Sequence, residues 1–369
     1  MSNRRELFIG VMSGTSLDGI DAVLADFSAG PPVLLEHAHH QLAEELRKEL
    51  LTLASPGFDD LHRGAIAAQH LARAYADTVA ELIRRQDLAD GAVRAIGAHG
   101  QTVRHRPADG YTIQLNAPAL LAELSQIDVV ADFRSRDLAV GGQGAPLVPG
   151  FHQLVFSGPE PVAVVNLGGI ANVTALPAAA AAEPVTGFDC GPGNMLIDTW
   201  AQRHLNQPFD RDGEWAASGT PDAALLASLL GEPYFGEPPP KSTGREQFNG
   251  AFIERHLAGR PLEARDVAAT LTRLTAETVA QSIEQFFPAA AEVLVCGGGA
   301  SNATLIRMLE RACSPRPVAS TAARGLAPEH VEALAFAWLA KQHVDRQPGN
   351  VPSVTGARGS RILGALYPA

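Results

Sequence analysis

The residue best suited to proton transfer in this sequence is Asp189. It follows an apolar run and lies in the glycine-rich segment 187–194, which reads Gly-Phe-Asp-Cys-Gly-Pro-Gly-Asn. A carboxylate at a strand end beside such a loop lies at the mouth of a cleft, where it can take a proton from a nucleophile. The alternative role is to cap the helix predicted from Met195 to about His204, and Asn194 suits that role better by position. Asp189 is therefore predicted to be catalytic.

Two glycine-rich turns are candidates for binding phosphate. The first lies in 10–21 and the second in 166–174, and each follows an apolar, strand-like run. Glycine lets the backbone come close to phosphate oxygens, hydroxyls donate to them, and Asp18 can hold a metal ion through water. A plain hairpin turn is the alternative for the first segment, since Asp-Gly is common in hairpins. Two such turns facing one another across a cleft would clamp opposite ends of a polyphosphate.

A third glycine run, Gly297-Gly298-Gly299, follows a strand-like run late in the chain. Three glycines leave a flat backbone surface that an adenine or ribose can approach, and Asn302 is predicted to start the next helix. The run does not read Gly-x-Gly-x-x-Gly and no acidic ribose ligand follows it, which disfavours a dinucleotide-binding Rossmann unit. No Gly-x-x-x-x-Gly-Lys-Ser/Thr sequence occurs, so a P-loop is excluded.

Three further polar clusters, 99–105, 132–137 and 241–246, carry basic residues on predicted loops. Such residues are more often solvated than ligand-binding, so each cluster taken singly is predicted to lie at the surface. The histidines of the first cluster lack Cys or acidic partners at metal-ligand spacing, which favours core or hydrogen-bonding histidines. Glu332 lies at the edge of an apolar helix and is either a surface residue or a buried substrate contact.

The elements that must position these residues alternate between strands and helices, which indicates an α/β sheet with covered faces. Strands are predicted at 6–14, 20–28, 93–98, 128–133, 162–167 and 293–296, and helices at 63–86, 117–126, 265–287 and 329–342. With 369 residues the chain exceeds the ~250–300 residues of a single core, so two lobes with a cleft are expected. The N-terminal lobe, 1–150, carries the first phosphate turn. The C-terminal lobe, 151–369, carries the second turn, the catalytic aspartate and the nucleoside-binding glycines.

Composition limits the partners. The formal net charge of −11 argues against a nucleic acid or an anionic membrane, because both need surfaces rich in Lys and Arg. A small molecule is expected instead. The three cysteines, Cys190, Cys296 and Cys313, form no C-x-x-C pair, which favours a reducing cytoplasm over a disulfide framework or a zinc site. The N-terminus lacks the pattern of a secretory signal, and no run reaches the ~18 apolar residues of a membrane span.

Together these residues resemble the anhydro-N-acetylmuramic acid kinase family, within the sugar kinase, heat-shock-protein and actin fold group. The likeness runs from about Phe8 to Tyr367 and rests on the order and spacing of seven blocks, at 10–19, 99–102, 132–149, 187–194, 240–246, 296–302 and 352–357. It implies a two-lobed, actin-like ATPase fold with a central cleft. It also implies ATP- and Mg²⁺-dependent conversion of 1,6-anhydro-N-acetylmuramic acid to N-acetylmuramic acid 6-phosphate, with water opening the anhydro ring, in peptidoglycan recycling.

The resemblance also assigns site residues. Asp189 matches the general base, acting on water, and Arg134 and Glu332 match sugar contacts, so all three are predicted to bind substrate. From the turns and the resemblance together, the predicted ATP contacts are Gly14, Thr15, Ser16, Leu17, Asp18, Gly19, Ile20, Asp21, Gly168, Gly169, Gly297, Gly298 and Gly299. Two departures from the family pattern, Glu329 for aspartate and Val140 for alanine, change no proposed reacting group.

Three alternatives stay open. An ordinary amino-sugar kinase of the same fold would use Asp189 to deprotonate a free hydroxyl. An actin-like or chaperone-like ATPase would need a polymer surface or a peptide-binding domain, for which no region of the chain is left over. A noncatalytic sugar sensor would need a DNA-binding segment, and no basic helix-turn-helix pattern is visible. The oligomeric state is open as well, with a homodimer among the alternatives.

Overall fold

The computed structural model describes residues 5–14, 17 and 19–369. Three predicted ATP contacts, Thr15, Ser16 and Asp18, lie outside these residues, and with them the metal ligand predicted at Asp18.

The strands in the described part of the chain are β1 (Leu7–Ser13), β2 (Ile20–Asp26), β3 (Val33–His40), β4 (Val93–Ala98), β5 (Gln101–Arg106), β6 (Tyr111–Leu115), β7 (Val129–Ala131), β8 (Val162–Leu167), β9 (Ile170–Leu176), β10 (Thr186–Pro192), β11 (Glu292–Cys296), β12 (Val318–Ser320) and β13 (Ala365–Tyr367). The α-helices are α1 (Glu44–Leu53), α2 (Asp60–Arg85), α3 (Pro118–Ser125), α4 (Ser135–Leu138), α5 (Pro149–Phe156), α6 (Met195–Leu205), α7 (Glu214–Ala217), α8 (Ala223–Leu230), α9 (Pro233–Gly236), α10 (Gly250–Leu257), α11 (Ala264–Phe286), α12 (Ala303–Cys313), α13 (Val331–Val344) and α14 (Pro352–Thr355). Short 3₁₀ helices lie at Pro107–Asp109, Arg211–Gly213, Gly298–Ser301, Thr321–Arg324 and Pro328–His330.

The chain separates into two compact units. The first unit contains the residues up to Val155 together with His330–Ala369, and the second unit contains Phe156–Glu329. The sequence analysis placed residues 330–369 in a C-terminal lobe that begins at residue 151. The structure instead places them in the first unit. Within the first unit, helix α13 packs on β1 and β4, and strand β13 pairs with β7. These contacts join residues far apart in the sequence, so periodicity along the chain could not indicate them.

The two units share one sheet topology. With the core strands of each unit numbered in chain order, their spatial order is 3-2-1-4-5, namely β3-β2-β1-β4-β7 in the first unit and β10-β9-β8-β11-β12 in the second. In both sheets the first three strands form an antiparallel meander, while the fourth and fifth run parallel to the first. This repeat agrees with the expectation of two lobes of related topology.

Long amphipathic helices cover the sheets. In the first unit α2 buries Leu71, Tyr75, Val79 and Leu82 at the helical spacing seen in the sequence. In the second unit the buried face of α11 packs against the sheet core formed by β8, β9 and β11. Burial of apolar surface, worth ~25 cal/mol per Å², holds each sheet rigid beneath the loops at its strand ends. In the described residues no helix combines the length and the apolar character that crossing a membrane requires.

Candidate active site

Asp189 lies in β10, at the edge of the sheet of the second unit. The residue is 5% exposed. Its carboxylate Oδ2 accepts a hydrogen bond of 3.0 Å from the backbone N–H of Thr243, and its own N–H donates to the carbonyl oxygen of Lys241 at 3.2 Å. The pairing of β10 with β9 shifts register between Asp189 and Gly191. A bulge re-aims side chains at a sheet edge, and here it follows immediately after the carboxylate.

Lys241 is buried, which corrects the prediction that cluster 241–246 lies at the surface. It is 5% exposed, and its Nζ donates to the carbonyl oxygens of Tyr234 at 3.0 Å and Phe235 at 3.3 Å. The Nζ also lies 4.7 Å from the centroid of the Tyr234 ring. Burial lowers the pKa of Lys241, and nearby negative groups, Asp189 among them, oppose that shift. Carbonyl oxygens and an aromatic face replace the water that a surface lysine would have.

A row of polar side chains leads from Asp189 across the sheet. Asp189 pairs with Asn172 of β9, and Asn172 pairs with Asn166 of β8. On the other side of Asn166, its register partner is Cys296 of β11. Directly paired residues present their side chains on one face of a sheet. The Oδ1 of Asn172 is buried and has no hydrogen-bond partner among the described residues. The row thus places two amide side chains between the carboxylate and the glycine run that follows β11.

The second predicted phosphate turn packs directly on the loop that ends β10. The backbone N–H of Asn194 donates to the carbonyl oxygen of Gly168 at 2.8 Å, and that of Gly193 donates to Gly169 at 2.9 Å. A Cβ on Gly193 would overlap the carbonyl oxygen of Gly168. The side-chain amide of Asn194 donates to the carbonyl oxygen of Leu167 at 3.0 Å. The prediction that this side chain caps α6 is therefore wrong. The two loops form one backbone surface.

The glycine run 297–299 joins the same surface. A Cβ on Gly297 would overlap the Oδ1 of Asn166, and a Cβ on Gly299 would lie 2.6 Å from the Cβ of Leu167. Gly298, in contrast, is exposed and has no atom within 4 Å of the position of its missing Cβ. We refer to Gly168, Gly169, Gly193, Gly297, Gly298 and Gly299 as the glycine cluster. Its accessible backbone lies at Gly298, which is exposed, and at Gly168, which is half-buried, and there a nucleotide can approach closely.

The described residues of the first phosphate turn are Gly14, Leu17, Gly19, Ile20 and Asp21. Leu17 has φ 58°, and its N–H donates to the carbonyl oxygen of Gly14 at 3.2 Å. The side chains of Leu17 and Ile20 are buried in the core of the first unit. Asp21 pairs with the Nδ1 of His39 at 2.8 Å. Leu17 and Ile20 can therefore contact a nucleotide only through their backbone.

Arg134, a predicted sugar contact, is held by His99 in the first unit. Its Nη2 lies 3.0 Å from the Nε2 of His99, and its Nη1 donates to the carbonyl oxygen of Gly144 at 2.8 Å. Burial, and secondly the charge of Arg134, hold the pKa of His99 well below its ordinary value. The imidazole is therefore neutral and accepts through Nε2, as expected for a hydrogen-bonding core histidine. Phe336 packs on the His99 ring, with 4.7 Å between the two ring centroids. Glu332 lies four residues before Phe336, on the same face of α13.

Sequence reasoning missed three groups around Asp189. The N–H of Thr243 contacts its carboxylate, the hydroxyl of Tyr234 donates to its carbonyl oxygen at 2.7 Å, and Asn172 is its register partner. One usable signal existed, because Asn166 and Asn172 are equidistant from Gly169 and so must pair if that turn is a hairpin. No local pattern pointed to Tyr234, which lies in the proline-rich segment 231–250.

A duplicated sheet of order 3-2-1-4-5, with a turn after the first strand of each copy, is the architecture of the actin-like ATPases, the fold class to which the sugar kinases belong. The predicted fold class is confirmed. A model of the anhydro-N-acetylmuramic acid kinase family matches residues 6–369. The chain therefore belongs to the anhydro-N-acetylmuramic acid kinase family, and the resemblance inferred from the seven sequence blocks is confirmed.

Curated relatives that match this chain over nearly their whole length are named anhydro-N-acetylmuramic acid kinases. The anhydro-N-acetylmuramic acid kinase of Bordetella petrii is 56% identical over 374 residues, covering 100% of this chain and 98% of the relative. That of Burkholderia cenocepacia is 54% identical over 369 residues, with 98% and 96% covered. That of Variovorax paradoxus is 54% identical over 372 residues, with 99% of both chains covered. By its family, the protein is an enzyme of the kinase class.

Solved structures of other proteins are similar at low identity. The activator of the 2-hydroxyisocaproyl-CoA dehydratase from Clostridium difficile gives a TM-score of 0.49 at 10% identity, covering 92% of this chain and 96% of its own. A ROK family glucokinase from Streptomyces griseus gives a TM-score of 0.43 at 16% identity, covering 91% and 99%.

Proposed function

We propose that this protein phosphorylates 1,6-anhydro-N-acetylmuramic acid with ATP while water opens the anhydro ring, giving N-acetylmuramic acid 6-phosphate and ADP in peptidoglycan recycling. Family membership supports the substrate and the reaction. One observation carries the chemistry. The carboxylate of Asp189 is buried, is held by the N–H of Thr243, and is joined to the glycine cluster by a row of two asparagines.

The glycine cluster fits a nucleotide. Gly297 and Gly299 have no room for a side chain, whereas Gly298 is exposed with open space around it. We propose that the nucleoside lies on the backbone of Gly298 and that the phosphates lie toward Gly168 and Gly169. When bound, ATP supplies the phosphoryl group, and Mg²⁺ neutralises charge on its phosphates.

The magnesium ion is proposed to bind together with ATP. Mg²⁺ keeps several waters and is usually held by one or two carboxylates plus substrate phosphates. Within residues 5–14, 17 and 19–369, no group of three or more His, Cys, Asp or Glu side chains could hold a metal. A site completed by phosphate oxygens and water needs no such group. Asp18, outside the described residues, is the proposed water-mediated ligand.

Asp189 is proposed to act as a base toward water. In the anhydro sugar O6 is bonded to C1, so the sugar has no free 6-hydroxyl. Asp189 takes a proton from a water molecule as the water oxygen bonds to C1, the C1–O6 bond breaks, and O6 accepts the phosphoryl group. The proton then passes from Asp189 to solvent. Because phosphoryl transfer needs positioning and charge neutralisation more than covalent help, one fixed carboxylate suffices.

Arg134 and Glu332 are proposed to bind the sugar. The guanidinium of Arg134 is fixed by the neutral imidazole of His99 and by the carbonyl oxygen of Gly144. The substrate carries a carboxylate on its lactyl arm, and arginine is well suited to a planar carboxylate. Glu332, half-buried on α13, offers oxygens that can accept from sugar hydroxyls.

The mass of the product tests this function. The purified protein is incubated with Mg-ATP and 1,6-anhydro-N-acetylmuramic acid, and the product is weighed by mass spectrometry. The expected product exceeds the substrate by one phosphate and one water. N-Acetylmuramic acid serves as the matched control, because it has a free 6-hydroxyl that an ordinary kinase would phosphorylate. The proposed reaction needs the anhydro bond, so this control sugar should support no ADP formation. A product gaining phosphate alone, or turnover of the control sugar, would favour an ordinary amino-sugar kinase.

A cytoplasmic location is part of the proposal. All three cysteines are buried and none forms a disulfide with another described residue, as suits a reducing compartment. The homodimer, and the lack of nucleic-acid or membrane partners, stay predictions from the sequence.

A further inference from the structure

Four hydrogen bonds surround Asp189 in the second unit, and three of them join Asp189, Lys241 and Tyr234 in a closed ring. Its Oδ2 accepts from the N–H of Thr243 at 3.0 Å, and its N–H donates to the carbonyl oxygen of Lys241 at 3.2 Å. The hydroxyl of Tyr234 donates to its carbonyl oxygen at 2.7 Å. Lys241 closes the ring, because its Nζ donates to the carbonyl oxygen of Tyr234 at 3.0 Å. Both segments that hold Asp189 are thus tied to each other through Lys241.

The charge of Lys241 is not needed for packing. The Nζ lies among three aromatic rings, with the centroids of Phe188, Tyr234 and Phe286 at 5.5, 4.7 and 5.9 Å. Burying an ammonium group costs free energy, and an apolar side chain of the same length would fill this space without that cost. The chain contains only three lysines, and the other two, Lys48 and Lys341, pair with carboxylates. A buried lysine in this one place indicates a role in the site.

We propose that Lys241 is the positioning residue for the general base. The ammonium group of Lys241 holds the turn that carries Tyr234, and its backbone carbonyl oxygen holds strand β10. These two contacts together fix the direction of the Asp189 carboxylate. The inference rests on the proposed role of Asp189. A base must lie within hydrogen-bond reach of the proton it removes, and a displacement of ~1 Å can cost about 10²-fold in rate.

Lys241→Met removes the charge and keeps the length of the side chain. We expect kcat to fall about 10²-fold, with the KM values for ATP and for the anhydro sugar unchanged, because only the direction of the base is lost. Tyr234→Phe breaks a second bond of the ring and should lower kcat in the same way. In the double variant the two losses should not multiply, since they act on one network. Lys48→Met, which removes an exposed lysine of α1, is the matched control and should leave kcat unchanged.

The background of Asp189→Asn separates positioning from general loss of structure. Without a base to direct, Lys241→Met should leave the residual rate of Asp189→Asn unchanged, whereas a merely structural role would lower it further. Wild-type kcat in Lys241→Met overturns the proposal. Should Lys241→Met fail to fold, Tyr234→Phe decides, and wild-type kcat there overturns the proposal as well. If Asp189→Asn keeps its turnover, the proposed function fails first, so the two failures are distinguishable.

Discussion

Gly193 and Gly168 lie so close that a Cβ on Gly193 would overlap the carbonyl oxygen of Gly168, the same oxygen that accepts from the N–H of Asn194 at 2.8 Å. The loop that follows β10 and its carboxylate, Asp189, is therefore built on one backbone surface with the proposed phosphate turn. Any side chain at position 193 must separate them. Asp189 lies in β10, the strand that ends just before Gly193. We therefore expect nucleotide binding and the direction of the proposed base to depend on the same contact.

Gly193→Ala tests this contact. The added methyl must push the two loops apart, so we expect a loss of about 1–3 kcal/mol in stability, as for other overpacked sites. We also expect weaker ATP binding. Thermal unfolding and ATP titration measure the two effects. Gly158→Ala is the matched control, because nothing lies within 4 Å of a Cβ at that position. A Gly193→Ala protein with wild-type stability and ATP affinity would show that the loops are free to separate.

Gly298→Ala separates ligand binding from folding. Nothing in the protein lies within 4 Å of a Cβ at Gly298, so the thermal midpoint should stay the same. If the nucleoside lies on this backbone, the methyl group will meet the ligand instead. We expect KM for ATP to rise about tenfold, which corresponds to ~1.4 kcal/mol, with KM for the sugar unchanged. An unchanged KM for ATP would place the nucleoside elsewhere.

Local patterns predicted the long helices and six of the strands. The helix predicted over 63–86 is α2, Asp60–Arg85, because its apolar residues recur at helical spacing. Asn302 caps α12 as predicted, with its Oδ1 accepting from the N–H of Leu305 at 2.9 Å. Both features depend on residues within a few positions of each other, and such features can be read directly from a sequence.

Contacts between distant segments could not be predicted in this way. The sequence indicated that Asp189 lies beside a glycine loop, but Thr243, which holds its carboxylate, is 54 residues away. Lys241 was predicted to be solvated because most lysines are, and its burial depends on rings from three separate segments. The return of residues 330–369 to the first unit has the same cause, since a helix pattern does not specify which sheet the helix covers.

Asp189→Asn should abolish turnover and leave ATP binding intact. Asparagine has nearly the same shape and can still accept from the N–H of Thr243, but it cannot take a proton. A general base contributes about 10²–10⁴-fold to rate, so kcat should fall by at least that range. Single-turnover assays and ATP titration make the comparison, with the exposed Asp90→Asn as control. Substantial activity in purified Asp189→Asn would refute the assigned role.

Arg134→Lys should weaken sugar binding without affecting ATP. Lysine keeps the charge but loses the planar fork that lies against His99 and Gly144. We expect KM for the anhydro sugar to rise at least tenfold, or ~1.4 kcal/mol, with KM for ATP unchanged. Arg94→Lys, at a partly exposed arginine paired with Glu6, is the control. Equal sugar KM values for Arg134→Lys and the wild type would exclude Arg134 as a sugar contact.

The stability of the first unit should fall on acidification, and His152 should account for part of the fall. Burial lowers the pKa of His152 to about 3, whereas an unfolded histidine titrates near ~6.5. Below pH ~6.5 the histidine binds a proton in the unfolded state but not in the folded state. The contribution of His152 to stability is therefore fully present above pH ~6.5 and is lost as the pH falls toward 3. At pH 5 the loss is about 2 kcal/mol.

His152→Leu removes this proton, so its stability should fall less steeply between pH 7.5 and pH 5 than that of the wild type, by that same ~2 kcal/mol. The three tryptophans are Trp200, Trp215 and Trp338, and only Trp338 lies in the first unit. Urea unfolding followed by fluorescence in a Trp200→Phe, Trp215→Phe background therefore reports on the first unit alone. His99, whose pKa is also lowered, is present in both proteins and cancels from the comparison. If the stabilities of the wild type and His152→Leu change with pH in parallel, His152 binds its proton equally in the folded and unfolded states. That result would contradict the lowered pKa of His152.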